Sequence, residues 1–239
     1  MKKLLVILLL WFVSCSPNNN SKSKNIHAEK LIINQDTFQQ KKVKREGIKP
    51  ETDVNSQAKS VKIDGVPFKN ILKSWLNYYH LKPKNFKQIN THDLPNVVTK
   101  VDTFDLQNDI YLPFYKFSPD KQKILDITSY NIILEKDKKG NLISLGSDID
   151  SKASVKNLET KTIQRVLFVG SDEIIEDGFW IDNQHLFIVG QLIDDASQFK
   201  PIIWFADLQN KTVQVYYYNK FFDKKKVDYL EKIKYKNIK

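Results

Sequence analysis

The pattern of apolar and polar positions divides the chain into successive parts. An unbroken apolar run extends from Leu4 to Val13, and a polar, lysine-rich stretch follows to about residue 60. Apolar residues at helical spacing come next, and from about residue 109 short runs of Ile, Val, Phe and Tyr alternate with turn residues. This order predicts an N-terminal targeting segment, a disordered tether, one helix and a β domain.

The stretch from Val66 to His80 is predicted to form an amphipathic helix. Its apolar residues recur three or four positions apart, namely Phe68, Ile71, Leu72, Trp75, Leu76 and Tyr79. Pro67 suits a first helical turn, and Pro83 bounds the pattern. Because one apolar stripe must be covered, we expect this helix to dock on the β domain.

Nine apolar runs predict the strands of the β domain. They occupy residues 109–117, 123–135, 142–146, 154–159, 163–170, 177–181, 185–193, 201–208 and 212–218. Turn residues separate the runs, and the last four predict consecutive antiparallel strands. The tail after residue 219 predicts a short helix with Val227, Leu230 and Ile233 on one side.

An internal repeat covers much of this β domain. The matched segments are residues 117–127 with 179–189 and residues 155–165 with 205–215. Asp120 then matches Asp182, and the pair that begins at Lys161 matches the pair that begins at Lys211. Aspartate, asparagine and lysine fall at the turns and aliphatic residues on the strands, which indicates one supersecondary unit used twice.

The repeat resembles the blades of TolB-type and WD40-like β-propellers, whose second strand follows a Phe-Ser-Pro-Asp-Gly turn. Phe117, Ser118, Pro119 and Asp120 keep this turn, with Lys121 in place of the glycine. The resemblance implies a mainly β fold of two propeller-blade-like antiparallel sheets with flanking short helices. Propellers close with roughly four to eight blades. Two sheets must therefore pack face to face, be covered by helices, or pair with another chain.

The N-terminus predicts a secretory signal. Lys2 and Lys3 precede an apolar run that would reach about 15 Å as a helix, half of what a bilayer core requires. Residues 12–15, Phe-Val-Ser-Cys, resemble the bacterial lipobox, with Phe12 where leucine is usual. The resemblance implies cleavage before Cys15 and attachment of fatty acyl chains such as palmitate there. The alternative is an ordinary cleaved signal with Cys15, the one cysteine of the chain, as an incidental residue.

Charge is distributed unevenly along the chain. Residues 16–100 carry 16 Lys and Arg against 7 Asp and Glu, residues 101–218 carry 12 against 18, and residues 219–239 carry 8 against 3. With the signal, these boundaries predict five segments: 1–14 signal peptide, 15–60 flexible tether, 61–100 helical lead-in, 101–219 β domain and 220–239 basic C-terminal helix or tail. The basic flanks can contact anionic envelope polymer or serve as solvated ends.

The stretch 171–180 contains four acidic residues, Asp172, Glu173, Glu176 and Asp177. Paired carboxylates can act as acid and base in glycoside hydrolysis or bind calcium, but this spacing fits no EF-hand loop. A solvated acidic turn between strands is the simpler interpretation. The four histidines lie far apart, and seven glycines form no phosphate-binding loop, so we expect no metal, cofactor or catalytic constellation.

Aromatic residues supply the remaining candidate site. Trp180, Trp204 and Tyr217 can form a face for a glycan or protein partner, although strand alternation places one face of these strands in the core.

The chain also resembles a group of uncharacterised bacterial lipoproteins, a resemblance that implies no particular activity. We expect a membrane-anchored cell-envelope protein, facing the periplasm or the cell surface, with a binding or accessory role. The alternative is an envelope hydrolase that acts on glycans through loop carboxylates. Nucleic acid is not an expected partner, because no recognition motif is present.

Overall fold

The fold is mainly β, with antiparallel sheets and a few short helices. A computed structural model describes residues 68–223 and 229–238. The chain divides into two units, Met1–Val54 and Asn55–Lys239, and all described residues belong to the second. The predicted signal, Cys15 and the tether lie outside the described residues.

The predicted amphipathic helix is confirmed as two consecutive short helices, α1 at Phe68–Ile71 and α2 at Lys73–Tyr78. The predicted stripe faces the protein interior, since Phe68, Leu72, Trp75, Leu76 and Tyr79 are all buried. We call residues 68–79 the helical segment. Tyr79 ends it as the C-cap.

A Schellman-type end stops the helical segment. His80 has a positive φ of 54°, and its N–H donates to the carbonyl of Asn77 while the N–H of Leu81 donates to the carbonyl of Leu76. These two hydrogen bonds satisfy carbonyls that the last helical turn leaves open. The chain then reverses into a 3₁₀ turn at Pro83–Asn85.

In the described part of the chain, twelve strands follow. They are β1 Phe86–Asp93, β2 Val98–Lys100, β3 Lys116–Phe117, β4 Lys123–Asp126, β5 Ile132–Lys136, β6 Leu142–Ser147, β7 Ser151–Asn157, β8 Thr162–Val169, β9 Glu173–Trp180, β10 His185–Ile193, β11 Phe199–Asp207 and β12 Thr212–Tyr218. The N-terminal sheet has the order β2-β8-β7-β4-β3, and the C-terminal sheet has the order β1-β12-β11-β10-β9. Strands β5 and β6 form a separate hairpin.

The two sheets have the same plan, as the internal repeat predicts. Each contains four strands in chain order and a fifth strand at one edge. The fifth strand is β2, beside β8, in the N-terminal sheet and β1, beside β12, in the C-terminal sheet. The matched residues behave alike: Asn157 and Asp207 each accept two backbone N–H groups of the following turn, and Lys161 and Lys211 both have positive φ. Lys121, which replaces the usual glycine, also has a positive φ of 59°.

The sheets pack on each other through a shared apolar core. Leu125, Val155 and Leu167 of the N-terminal sheet meet Ile188 and Trp204 of the C-terminal sheet there. A second core lies on the opposite face of the C-terminal sheet, beneath the helical segment. Face-to-face packing and cover by helices therefore both occur, and within the described residues the repeats form two sheets rather than a ring of blades.

Four predicted elements outside the acidic stretch 171–180 differ from the structure. The pattern predicts a strand over residues 109–117, but only Lys116–Phe117 forms one, because Pro113 lies in a 3₁₀ turn at Leu112–Phe114. The predicted strand 123–135 is interrupted after β4 by a turn. Part of the predicted helical lead-in, residues 86–100, instead contributes β1 and β2. The tail helix is a π-helical turn at Leu230–Lys234, with Ile233 exposed and Val227 outside the described residues.

Candidate functional site

The four acidic residues of the predicted acidic turn do not form a solvated turn. Residues 173–180 are strand β9, and Glu176 and Asp177 are buried, with Glu176 only 1% exposed. Asp172 is exposed and Glu173 is half-buried. The prediction of a solvated loop is therefore wrong for Glu176 and Asp177. Ile174 and Ile175 precede them in strand β9, and this apolar pair favours a strand over a loop.

A β-bulge sets the position of Glu176. Gly190 of β10 pairs with Ile175, and Val189 pairs with Asp177, so Glu176 is an extra residue with no partner of its own. A bulge of this kind redirects a side chain out of the regular alternation. Here it directs Glu176 toward the helical segment.

Three donors surround the Glu176 carboxyl group. Trp75 Nε1 donates to Oε2 at 2.7 Å, while Tyr79 Oη and Gln191 Nε2 donate to Oε1 at 2.6 and 2.5 Å. Burial raises the pKa of Glu176 to about 7, although these three hydrogen bonds act in the opposite direction. The group therefore changes charge near neutral pH and links the helical segment to β9 and β10.

Gln191 connects Glu176 to Tyr79. Its Nε2 donates to Glu176 Oε1 at 2.5 Å and also to Tyr79 Oη at 2.6 Å. Within the described residues its Oε1 is buried without a hydrogen-bond partner. The amide of β10 therefore contacts both the carboxyl group of β9 and the phenol of the helical segment.

Asp177 links β9 to the C-terminal segment, which we define as residues 229–238. Its carboxylate accepts a hydrogen bond from Tyr229 Oη at 3.1 Å and lies 3.6 Å from Lys116 Nζ. Tyr229 is buried, and burial together with Asp177 raises its pKa. Lys234 of the same segment has a buried Nζ without a hydrogen-bond partner in the described residues, and burial lowers its pKa to about 8.

A second charged cluster lies in the N-terminal sheet. Lys156 Nζ lies 2.9 Å from a carboxylate oxygen of Asp126 and contacts Tyr115 Oη, which donates to Asp109 at 2.6 Å. Burial alone would raise the pKa of Asp126, but Lys156 and Ser129 outweigh it and hold that pKa below its usual range. All the charged groups of this cluster are paired, so its arrangement is that of a structural ion pair.

A cavity of about 580 Å³ lies between β9, the β5–β6 hairpin with the loop that follows it, and the C-terminal segment. Aliphatic residues form much of its wall, namely Ile132, Ile149, Ile174, Ile175, Leu230 and Ile238. Asp148, Glu231 and Lys236 are exposed charged residues on its lining, and Glu176 borders it from β9. Its volume falls in the range of ligand sites in proteins.

The three candidate aromatic residues do not share one exposed face. Trp204 is 2% exposed and belongs to the core between the sheets, so the prediction of a ligand-facing role for it is wrong. Trp180 is half-buried and donates its indole N–H to the carbonyl of Lys116 at 2.8 Å. Tyr217 is half-buried beside the same core, while Tyr216 and Tyr218 point to the other core, as strand alternation predicts.

Local sequence patterns did not reveal most of this site. Trp75 is 101 residues from Glu176, and three separate stretches form the cavity, within residues 131–151, 174–176 and 229–238. The available signal was the pair Ile174 and Ile175 beside a carboxylate, which is a strand pattern rather than a loop pattern. In the described part of the chain, no group of three or more His, Cys, Asp or Glu residues is arranged to bind a metal ion.

Comparisons with known proteins identify no relative: no family model, curated protein or solved structure matches the chain. The helices of the described residues are all too short or too polar to cross a bilayer.

Proposed function

We propose that this chain is a lipid-anchored protein of the bacterial cell envelope whose β domain is a binding or accessory module. The cavity beside β9 carries the binding part of this proposal, because a space of about 580 Å³ with aliphatic walls and a few polar groups suits a bound ligand. The lipobox-like residues 12–15 support the anchor. The module would then face the periplasm or the cell surface and bind an envelope protein or glycan.

Binding is favoured over hydrolysis by the surroundings of Glu176. A general acid must reach the leaving group of its substrate. Both oxygens of Glu176 already accept hydrogen bonds from protein donors, and the residue is almost fully buried. This geometry supports a role in holding the cavity wall rather than in proton transfer to a glycan.

The lipid anchor predicts a large effect of Cys15→Ala on membrane association. We expect the wild-type protein to fractionate with membranes and to carry the mass of its acyl chains, because two or more chains anchor a protein stably. The variant should lack that mass and leave the membrane fraction. Ser16→Ala, which keeps the cysteine, is the matched control and should behave as wild type. Equal mass and fractionation of wild type and Cys15→Ala would contradict the anchor.

The ligand cavity predicts that Ser147→Trp blocks binding. Ser147 is exposed and lies on the cavity lining, so an indole there fills the space without entering the core. In a ligand-observed NMR screen with small amphipathic fragments, we expect wild-type hits that disappear in Ser147→Trp. Ser171→Trp, an exposed serine off the cavity lining, should retain them. No hits for wild type, or the same hits for both variants, would count against a ligand site here.

A further inference from the structure

Within residues 68–223 and 229–238, no strand pairs with the outer backbone edge of β9 where it borders the cavity. Strand β9 is the last strand of the C-terminal sheet, and its residues 174–176 line the cavity. Within the described residues β10 is the one strand that pairs with this stretch, and no turn or loop hydrogen bond reaches its backbone. An antiparallel edge strand turns alternate N–H and C=O groups outward, which provides a template for another strand. The bulge interrupts this alternation at Glu176, so the regular part of the template lies before it, at Ile174 and Ile175.

The wall that faces this edge is apolar. Ile132 and Ile149 on one side and Leu230 and Ile238 on the other line the same cavity, and Ile149 is 77% exposed. An isoleucine so exposed at a cavity mouth gains from being covered. A strand beside β9 would direct alternate side chains to opposite faces, so one of its apolar side chains would meet this wall.

The rim of the cavity is acidic on balance. Asp148 and Glu231 are exposed there together with one basic residue, Lys236. The β domain as a whole has the same sign, with 12 Lys and Arg against 18 Asp and Glu in residues 101–218. Charge complementarity therefore favours a basic residue beside the apolar one in the bound segment.

We propose that the cavity binds an extended peptide segment of another envelope protein, which adds a strand to β9 at residues 174–176. Main-chain hydrogen bonds to the open edge hold the segment, an apolar side chain contacts the aliphatic wall, and a basic side chain lies near Asp148 and Glu231. Strand addition is an established mode of peptide recognition, with affinity from the backbone and specificity from alternate side chains. This inference rests on the proposed function of the cavity as a ligand site.

Two synthetic peptides test strand addition. The first is acetyl-Lys-Ile-Thr-Val-Lys-amide, and the second is the same sequence N-methylated at alternate amides on the edge that would pair with β9. Both keep every side chain, but the second cannot donate the main-chain hydrogen bonds. By calorimetric titration we expect the first peptide to bind saturably and the second at least about tenfold more weakly. The first peptide should also shift the backbone amide NMR signals of residues 174–176. Equal affinities, or no shift at these residues, would overturn the proposal.

The charge of the rim gives an independent comparison. Asp148→Lys should lower the binding affinity of the lysine-bearing peptide several-fold and raise the affinity of a counterpart peptide with glutamate at both ends. Asp195 is an exposed acidic residue away from the cavity lining, so Asp195→Lys should change the affinity of neither peptide. If small fragments bind in the cavity but the first peptide does not, the peptide inference fails while the ligand site stands. If neither binds, both fail.

Discussion

Glu176→Leu is expected to lower the free energy of unfolding by about 4 kcal/mol at pH 5, because each buried donor left without an acceptor costs roughly 1–3 kcal/mol. Trp75 Nε1 and Tyr79 Oη would lose the carboxyl oxygens to which they donate, while Gln191 Nε2 would keep Tyr79 Oη as an acceptor. At pH 5 the carboxyl is largely neutral, since its pKa is raised to about 7. Urea denaturation followed by circular dichroism measures the loss.

Two controls separate the hydrogen bonds from the change of side chain. Glu176→Gln keeps one acceptor oxygen and should lose less than half as much. Glu159→Leu changes an exposed acid in a turn and should stay within about 0.5 kcal/mol of wild type. A loss below about 1 kcal/mol for Glu176→Leu would mean that the indole of Trp75 and the phenol of Tyr79 do not depend on this carboxyl group, contrary to the geometry described.

The raised pKa of Glu176 also determines the sign of a pH effect. The folded-state pKa of about 7 lies above the ordinary value of 4.5, so the folded state binds the proton more tightly than the unfolded state. Its contribution to stability is complete below pH 4.5 and is lost as the pH rises through 7, by about 3 kcal/mol. The stability of wild type relative to Glu176→Gln should therefore fall over this interval.

Gly190→Ala is expected to be comparably damaging, with a loss of about 3 kcal/mol or more, because it forces backbone movement in a packed region. A Cβ at this position would lie 1.9 Å from the carbonyl oxygen of Ile174 and 3.1 Å from Cζ3 of Trp204. Gly190 pairs with Ile175, next to the bulge that positions Glu176. The glycine therefore allows the close approach of β9 and β10 on which the Glu176 site depends.

Gly170→Ala is the matched control for the Gly190 substitution. A Cβ there would meet only Asp172 Oδ1, at the ordinary contact distance of 3.5 Å, so thermal unfolding should be nearly unchanged. The Gly190→Ala variant should in contrast unfold at a clearly lower temperature, and its affinity for any ligand that binds beside β9 should also be lower. If the two variants unfold at the same temperature, β9 and β10 are not held as closely as described.

The sequence predicted well those elements whose apolar residues are continuous or regularly spaced. The stripe from Phe68 to Tyr79 predicted the helical segment and its buried face, and the apolar runs in residues 185–193 and 212–218 predicted β10 and β12 with their actual bounds. The helical segment buries one face, whereas β10 is buried on both. Their local pattern therefore agrees with the tertiary structure that covers them.

The elements that the sequence did not predict are those whose structure depends on distant partners. Strand β1 is exposed except at Phe86, so it has no alternating pattern and is held by pairing with β12. The same is true of the candidate site. An acidic residue is rarely buried without partners, so the acidic pattern around Glu176 predicts a loop. Its partners Trp75 and Tyr79 lie about a hundred residues earlier in the chain.

The titration of the Glu176 carboxyl tests most directly whether a buried acid joins the helical segment to the β9 edge and so shapes the cavity wall. Protein labelled with ¹³C at the glutamate side-chain carboxyl, with Glu176→Gln for assignment, gives this titration by NMR. We expect a midpoint at about pH 7. A midpoint near 4.5, the ordinary value for glutamate, would show a solvated carboxylate and contradict the buried site.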